Sequence, residues 1–282
     1  MQLRIATCRP MPEPDADEEL LLQALRLHGV EARMAAWNDP REDWDLPLPT
    51  LVRSTWDYIH DLERFRRWLA RADGAGPLWN PLSAISGNLH KRYLVDLAAA
   101  GRSVTPTELV ERRSRVSLAD LRGRRGWDDV IVKPAVSAGS FNTRRFRAHE
   151  QEDGEQFLAS TASQCDMLVQ PYLASVDGHG ERALVWIDGQ FTHAVRKSPR
   201  FSGGHEHVSP ALPIGADERE LGERVMAPWA ADCLYARVDV APAADGSPCL
   251  MELELVEPSL FLRQEPRALT RLAAALARRL SG

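Results

Sequence analysis

Lysine is scarce in this 282-residue chain. Of its 35 basic residues only Lys91, Lys133 and Lys197 are lysine, and the rest are arginine. The lysine ammonium is a compact charge that reaches phosphate oxygens without the planar fork of arginine. Each of the three is therefore a candidate for phosphate binding.

Several other common features are also missing. The four cysteines are far apart and form no Cys-x-x-Cys pair, which argues against a zinc ribbon or a thioredoxin-type site. A chain of this length needs no disulfides, so we expect reduced, mostly buried thiols. No apolar run approaches the ~20 residues of a membrane helix. The first seven residues have a strand pattern rather than that of a signal peptide, which favours a cytoplasmic location.

The usual nucleotide-binding motifs are absent as well. No loop ends in the Gly-Lys-Ser/Thr of a P-loop, and no Gly-x-Gly-x-x-Gly follows the first strand. Hydrophobic residues make up 44% and charged residues 27%, as is typical of a globular protein. The net charge of −5 disfavours nucleic acid as the main partner, because phosphate backbones bind basic surfaces.

The hydrophobic pattern predicts an α/β fold with α+β lobes. Strands at residues 3–7, 30–36 and 50–54 enclose a helix at 17–28, which indicates a small parallel β-α-β sheet. The second half is rich in strands, and antiparallel pairing connects them most simply. A long helix is expected at 217–233. Boundaries divide the chain into residues 1–80, 81–175 and 176–282.

Three acids near the C-terminus are candidates for a metal site. Asp239 lies on one predicted strand, and Glu252 and Glu254 lie two apart on the next, so the two glutamates face the same side. The Asp-Gly between the strands predicts a hairpin that brings all three together. Carboxylate oxygens suit Mg²⁺. An ordinary solvated strand face is the alternative, although the segment continues into the apolar Val256-Glu-Pro-Ser-Leu-Phe-Leu262.

Lys133 ends an apolar strand and precedes a loop of small residues, 135–140. Backbone N–H groups of such loops can surround a phosphate, whereas a strand-end lysine can also simply reach water. Residues 168–173 form a strand that ends at a proline and could read an adenine edge. The Gly- and His-containing run 201–207 favours a mobile lid, and the spacing of His205 and His207 alone does not favour zinc.

In their order along the chain, these segments resemble the ATP-grasp superfamily from about residue 80 onward. The best-matching stretches are similar to bacterial glutathione synthetases and to the cyclo-ligases that close the D-cycloserine ring. Arg53-Ser-Thr-Trp-Asp-Tyr58, the Val-Lys-Pro strand at Lys133, the Gly-Glu-Arg hairpin and the Ala-Val-Arg-Lys strand carry the resemblance. It implies an ATP-grasp fold with an N-terminal pre-ATP-grasp domain, a small central lobe and a C-terminal antiparallel-sheet lobe.

The resemblance also implies roles for individual residues. Phosphates are expected at Lys91, Lys133 and the small-residue loop, adenine at the linker, ribose at Asp177 or Glu181, and Mg²⁺ or Mn²⁺ at the three acids. Arg196, Lys197 and Arg237 are the expected catalytic cations. The implied nucleotide and substrate residues include Ser137, Gly139, Ser140, Gln170, Pro171, Tyr172 and Leu173 for ATP, and Arg53, Ser54, Trp56, Asp57, Tyr58, Ser259 and Arg263 for the substrate.

Two positions depart from the relatives. Many of them have Asn at the position of Glu254, so the added charge could change how a second metal is held. Arg237 stands where glutathione synthetases have a small residue, and it could reach a substrate carboxylate.

The implied activity is an ATP-dependent ligase of the carbon–nitrogen bond-forming class. A small, amino-acid-like carboxylate becomes an acyl phosphate with release of ADP, and an amine then displaces phosphate. The alternative within the same chemistry is an intramolecular cyclo-ligase acting on an O-ureido-serine-like substrate. A non-catalytic nucleotide-binding protein and a ligase that modifies protein C-termini remain further alternatives. We expect a homo-oligomer, dimer or tetramer, with neither nucleic acid nor membrane as partner.

Overall fold

The computed structural model describes residues 1–198 and 207–281. The predicted lid, including His205, lies outside the described residues apart from His207. The strands are β1 Gln2–Thr7, β2 Glu31–Ala36, β3 Thr50–Ser54, β4 Leu78–Trp79, β5 Glu108–Val110, β6 Val130–Pro134, β7 Arg144–Phe146, β8 Met167–Pro171, β9 Glu181–Ile187, β10 Gln190–Lys197, β11 Tyr235–Pro242 and β12 Pro248–Glu254. The α-helices are α1 Glu18–Leu27, α2 Leu62–Ala75, α3 Leu82–Asn88, α4 Tyr93–Ala99, α5 Leu118–Arg125, α6 Gln151–Ala162, α7 Ser175–His179, α8 Ala216–Met226 and α9 Pro266–Ser281.

The N-terminal sheet has the order β2-β1-β3-β4, and all its pairs are parallel. Strand β3 is buried along its whole length, although only Leu51 and Val52 of its five residues are apolar. Helix α1 buries Leu21 and Leu25, which are four residues apart and share one helix face. The predicted parallel β-α-β opening is thus confirmed.

The other two sheets are antiparallel, with the orders β5-β8-β6-β7 and β10-β9-β11-β12. Their hairpins turn where the sequence predicts. Asp188 and Gly189 have φ values of +48° and +88°, and Gly246 has a φ of +84°. Such left-handed conformations suit Gly and Asp, which explains the two Asp-Gly turns.

The helices join the sheets in a way that the sequence order does not reveal. Helix α4 contributes Leu94 and Leu97 to the core of the C-terminal sheet. Helix α9 contributes Leu272 and Leu276 to the core beneath the N-terminal sheet, where it packs on α1. The boundaries at residues 80 and 175 therefore stay predictions, since neighbouring segments share cores.

Two details differ from the predicted helices. The helix expected at 217–233 ends at Met226, because Pro228 lacks the N–H that would continue the helix. Helices α3 and α7 are not predicted by the pattern, and both are short. The four cysteines are free, and three of them are buried. Among the described helices, none has both the length and the apolar character of a membrane span.

Candidate active site

One cleft of about 700 Å³ collects all three lysines of the chain. Lys91 lies between α3 and α4, Lys133 on β6 and Lys197 on β10. A chain that places arginine almost everywhere thus directs every lysine to the same cavity. This convergence is compatible with the predicted role of the lysines in phosphate binding, which stays a prediction.

The C-terminal acids line the same cleft. Asp239 on β11 stands opposite Glu252 on β12, and Arg237 stands opposite Glu254. Because residues two apart share a strand face, the four side chains point to one side of the sheet. Asp239 is almost completely buried, at 1% exposed.

Cations already surround Asp239. The Arg237 guanidinium donates to it from Nε and Nη2, at 2.8 and 2.9 Å. The Lys197 ammonium donates to its Oδ2 at 2.7 Å and lies 2.6 Å from a carboxylate oxygen of Glu181. Burial alone raises a carboxyl pKa, but Arg237 and Lys197 outweigh it and hold the pKa of Asp239 well below its usual range.

Lys91 and Lys133 differ in their partners. The Lys91 ammonium is 2.7 Å from Oε1 of Glu252 and donates to the carbonyl oxygen of Ser137 at 2.8 Å. The Lys133 ammonium makes no hydrogen bond or ion pair within the described residues. Burial lowers its pKa, whereas attraction to Glu252 acts in the opposite sense and is weaker. Lys133 is therefore the cation that an anionic ligand can reach without breaking an ion pair.

Three further carboxyls of the cleft resist ionisation. Burial is the largest effect on Glu181 and Glu254 and, with help from nearby carboxylates, raises the pKa of each to about 7. Lys197 opposes the rise at Glu181, and Arg237 opposes it at Glu254. Burial and the nearby Glu254 raise the pKa of Glu257 to about 8. Several carboxylates in one partly dry cleft repel each other, so the site favours added positive charge.

The small-residue loop after β6 forms another wall of the cleft. Gly139, Ser140 and Asn142 have φ values of +55°, +61° and +51°. A tightly turning loop of small residues can present backbone N–H groups to an anion. At the loop tip, the Phe141 ring meets the His60 ring edge to face at 5.3 Å, which links the loop to the N-terminal domain.

The linker after β8 lies along the cleft as well. The Gln170 side-chain amide donates to Thr107 at 2.8 Å, and the Tyr172 N–H donates to the carbonyl oxygen of Asp129 at 2.8 Å. The N–H of Leu173 has no hydrogen-bond acceptor in the part of the chain that is described. An unpaired N–H in an extended linker is the kind of group that reads a base edge.

Most predicted site residues line this cleft. Besides the acids and lysines, the cleft lining includes Trp56, Asp57, Tyr58, Ser137, Gly139, Ser140, Gln170, Pro171, Tyr172, Leu173, Glu181, Arg237 and Ser259.

Five predicted residues lie outside it: Arg53, Ser54, Asp177, Arg196 and Arg263. Arg196 and Asp177 line an adjoining depression, where Asp177 accepts a hydrogen bond from the Tyr172 hydroxyl. Arg196 faces away from Lys197, as neighbours on a strand must. Arg53 is buried and donates to the carbonyl oxygen of Pro258 at 2.7 Å, so it contacts protein rather than the cavity.

Glu257 and Tyr93 are among the cleft residues that sequence reasoning missed. Tyr93 begins α4 like any apolar helix residue, so no local signal marks it. Glu257 has a signal: it is a charged residue inside the apolar run from Val256 to Leu262. Charged side chains are rarely buried without a partner.

The three predicted metal ligands fit Mg²⁺ by donor type, since all are hard carboxylate oxygens. Within residues 1–198 and 207–281, however, no three His, Cys, Asp or Glu side chains are close enough together to hold a metal ion. Lys91, Lys197 and Arg237 bind the same oxygens instead. The metal role of these acids stays a prediction that requires local rearrangement.

Comparison with known proteins identifies the family. Residues 3–80 match the family model described as the N-terminal domain of D-cycloserine synthetase DcsG. The chain is 32% identical over 282 residues to the cycloserine biosynthesis protein DcsG of Streptomyces lavendulae, covering 94% of each. The chain belongs to the D-cycloserine synthetase family of ATP-grasp ligases.

Solved structures agree with this assignment. The crystal structure of D-cycloserine synthetase superposes with a TM-score of 0.92 at 31% identity, covering 99% of this chain and 100% of that one. The ATP-grasp ligase PsnB (TM-score 0.66, 19% identity, 99% and 98% covered) and the D-alanine–D-alanine ligase of Bacillus anthracis (0.68, 12%, 99% and 98%) share the fold. The predicted ATP-grasp fold and ATP-dependent ligase class are confirmed.

Proposed function

We propose that this family member is a cyclo-ligase. It activates the carboxylate of a small amino-acid derivative with ATP and closes a ring with a nitrogen of the same molecule, as in D-cycloserine formation. The observation that carries the proposal is the convergence of Lys91, Lys133 and Lys197 with the carboxylates of Asp239, Glu252 and Glu254 in one cleft. The relationship to D-cycloserine synthetase over the whole chain supports the intramolecular reaction.

One set of cleft residues would bind the nucleotide, and another would bind the metal. Leu173 N–H and its linker would meet adenine, and Lys91, Lys133 and the loop at 137–140 would bind phosphates. Asp239, Glu252 and Glu254 would hold Mg²⁺, which supplies neutralising charge at the phosphate oxygens. Lys197 and Arg237 would share those acids with the metal or move to the transferred phosphoryl group.

The chemistry follows from the charges. The substrate carboxylate oxygen bonds to the terminal phosphorus and ADP leaves, and the internal nitrogen then bonds to the acyl carbon as phosphate leaves and a proton is lost. The protein needs no covalent nucleophile, because positioning and electrostatic stabilisation lower the barrier. Binding one substrate rather than two removes the need for a second acceptor site.

An ADP-release assay tests the proposal. The protein is incubated with ATP, Mg²⁺ and both enantiomers of O-ureido-serine, with and without a panel of added amines, and products are identified by mass spectrometry. We expect ADP release and a cyclic product without any added amine. Strict dependence on an amine would instead establish a two-substrate ligase, and ATP binding without ADP release would establish a non-catalytic protein.

A further inference from the structure

Glu257 is a carboxyl group of the cleft wall that has no partner in the described part of the chain. The residue is 8% exposed and lines the cleft, directly after the strand that carries Glu252 and Glu254. Within residues 1–198 and 207–281 its side chain makes no hydrogen bond and no ion pair. Burying a charged carboxylate without a partner is costly, so such a group either stays protonated or takes a cationic partner.

Each of the neighbouring acids has a cationic partner. Glu181 pairs with Lys197, Asp239 with Lys197 and Arg237, Glu252 with Lys91 and Glu254 with Arg237. Lys91, Lys197 and Arg237 therefore already pair with other acids. The remaining lysine, Lys133, is attracted mainly to Glu252. Within residues 1–198 and 207–281 no cation pairs with Glu257, so a bound ligand can supply one.

The backbone around Glu257 is fixed from two directions. The N-terminal domain supplies the Trp56 indole N–H, which donates to the Glu257 carbonyl oxygen at 3.0 Å, and Arg53, which donates to Pro258 at 2.7 Å. From the C-terminal sheet, Arg237 donates to the carbonyl oxygen of Ser259 at 3.4 Å. Because these hydrogen bonds hold its backbone in place, the side chain of Glu257 is positioned before a ligand binds.

Tyr58 supplies a second polar atom on the same wall. Its ring stacks on Phe65 at 4.9 Å between centroids, and its side chain lines the cleft. The hydroxyl has no hydrogen bond in the described part of the chain. Of the charged groups that act on this hydroxyl, Glu257 has the largest effect.

We propose that Glu257 binds the ammonium group of the amino-acid substrate, with the Tyr58 hydroxyl as a second polar group of the cleft. The assignment rests on the proposed function, since it takes an amino-acid derivative as substrate. It makes Glu257 the residue that selects an α-amino acid over the same acid without its amino group. The cleft then has separate places for the two ends of the substrate: Glu257 for the ammonium, and the phosphate-binding cations for the carboxylate that reacts.

The pKa of Glu257 is consistent with this role. Burial, together with the charge of Glu254, raises that pKa to about 8 in the protein alone. A cation placed next to a carboxyl lowers its pKa and favours the charged form. The ammonium of a bound substrate would therefore ionise Glu257 and pair with it.

The test compares two substrates in two enzymes. Glu257→Gln keeps the side-chain shape and removes the charge, and Glu220→Gln makes the same change at an exposed surface carboxylate. For O-ureido-serine we expect Glu257→Gln to lower kcat/KM by about 10- to 100-fold, mainly through KM, because a charged hydrogen-bond partner is lost. For 3-(ureidooxy)propanoate, which lacks the amino group, wild type and variant should agree within about 2-fold. An equal loss on both substrates would overturn the assignment.

The proposed function is judged separately, by ADP release from the wild-type protein. If wild type turns over neither compound, calorimetry with ADP and MgCl₂ present compares binding of D- and L-serine with that of 3-hydroxypropanoate. A preference for serine that Glu257→Gln abolishes supports the assignment. No preference, or one that the variant retains, overturns it.

Discussion

Arg237 binds Asp239 from two residues away on the same strand, with Nε 2.8 Å from Oδ1 and Nη2 2.9 Å from Oδ2. The same guanidinium pairs with Glu254. One arginine thus occupies two of the three predicted metal ligands. A divalent cation at this site must replace the guanidinium or share the oxygens with it, so Arg237 and the metal compete for the same negative charge.

The first prediction concerns this competition. Arg237→Met leaves the buried Asp239 and the partly exposed Glu254 with less positive charge, and losing one partner of a buried pair costs about 3–5 kcal/mol. We expect a lower midpoint of thermal unfolding, and we expect millimolar MgCl₂ or MnCl₂ to restore part of the loss. Differential scanning fluorimetry with and without the metal measures both effects.

Arg66→Met is the matched control, because Arg66 pairs with Glu63 where both side chains are exposed. Exposed pairs contribute about 0–1 kcal/mol, so this variant should unfold near the wild-type temperature. A metal-induced rise of equal size in wild type and in Arg237→Met would contradict the competition.

Lys91 and Lys133 should respond differently to the same substitution. The Lys91 ammonium pairs with Glu252. Burial is the largest single effect on Lys91 and lowers its pKa, but the attraction to Glu252 and to the other nearby carboxylates together outweighs burial, so the pKa of Lys91 is raised. Lys91→Met should therefore lower stability, by about 1–3 kcal/mol for an unpaired group left behind. Burial lowers the pKa of Lys133, so its charge is a net cost to the fold and Lys133→Met should be neutral or stabilising.

Both lysine variants should lose ADP release, by about 10²–10³-fold if each contacts phosphate as proposed. Thermal unfolding and steady-state ADP release on the same preparations separate the two effects. A stable, fully active Lys133→Met protein would remove Lys133 from the phosphate site.

Glu252→Gln tests the metal assignment. The substitution keeps the size of the side chain but gives a neutral amide, which is a weaker ligand for Mg²⁺. We expect metal-dependent ADP release to fall to background at millimolar MgCl₂, while the nucleotide still binds. Titration with MgCl₂ and MnCl₂ measures the change, and retained turnover would show that Glu252 is not a metal ligand.

The sequence predicts best those residues whose signal is local. The Asp-Gly turns, the period-two spacing of Glu252 and Glu254, and the opposite faces of Arg196 and Lys197 all follow from strand geometry. The scarcity of lysine added a signal that depends on the whole composition. These local rules place the antiparallel hairpins and the acid-lined sheet face without knowledge of the rest of the fold.

Long-range contacts escape the same reasoning. Arg53 belongs to a segment with the expected family pattern, yet its guanidinium reaches Pro258, 205 positions along the chain, and so faces protein instead of the cleft. The orientation of Arg53 depends on where the chain returns after β12. Glu257 was overlooked for the same reason, because its position in the cleft arises from the packing of the C-terminal segment against the N-terminal domain.

The last prediction is the pH dependence of stability at Glu257. Its pKa rises from the usual 4.5 to about 8 on folding. Between these values the folded protein retains a proton that the unfolded chain has released, so Glu257 lowers stability progressively as pH rises. Glu257→Gln removes this effect. Without substrate, the variant should therefore match wild type near pH 5 and unfold at a higher temperature near pH 8, by at least about 2 °C for a gain of 1 kcal/mol.

Thermal unfolding of both proteins from pH 5 to pH 9 measures the difference. Glu220→Gln should show no such trend, because that carboxylate is exposed and pairs with Arg224 on the helix surface. A difference between Glu257→Gln and wild type that stays constant with pH would mean that Glu257 is charged throughout this range in the folded protein. A difference that grows with pH would show that Glu257 stays protonated in the folded protein as long as no cation is bound next to it.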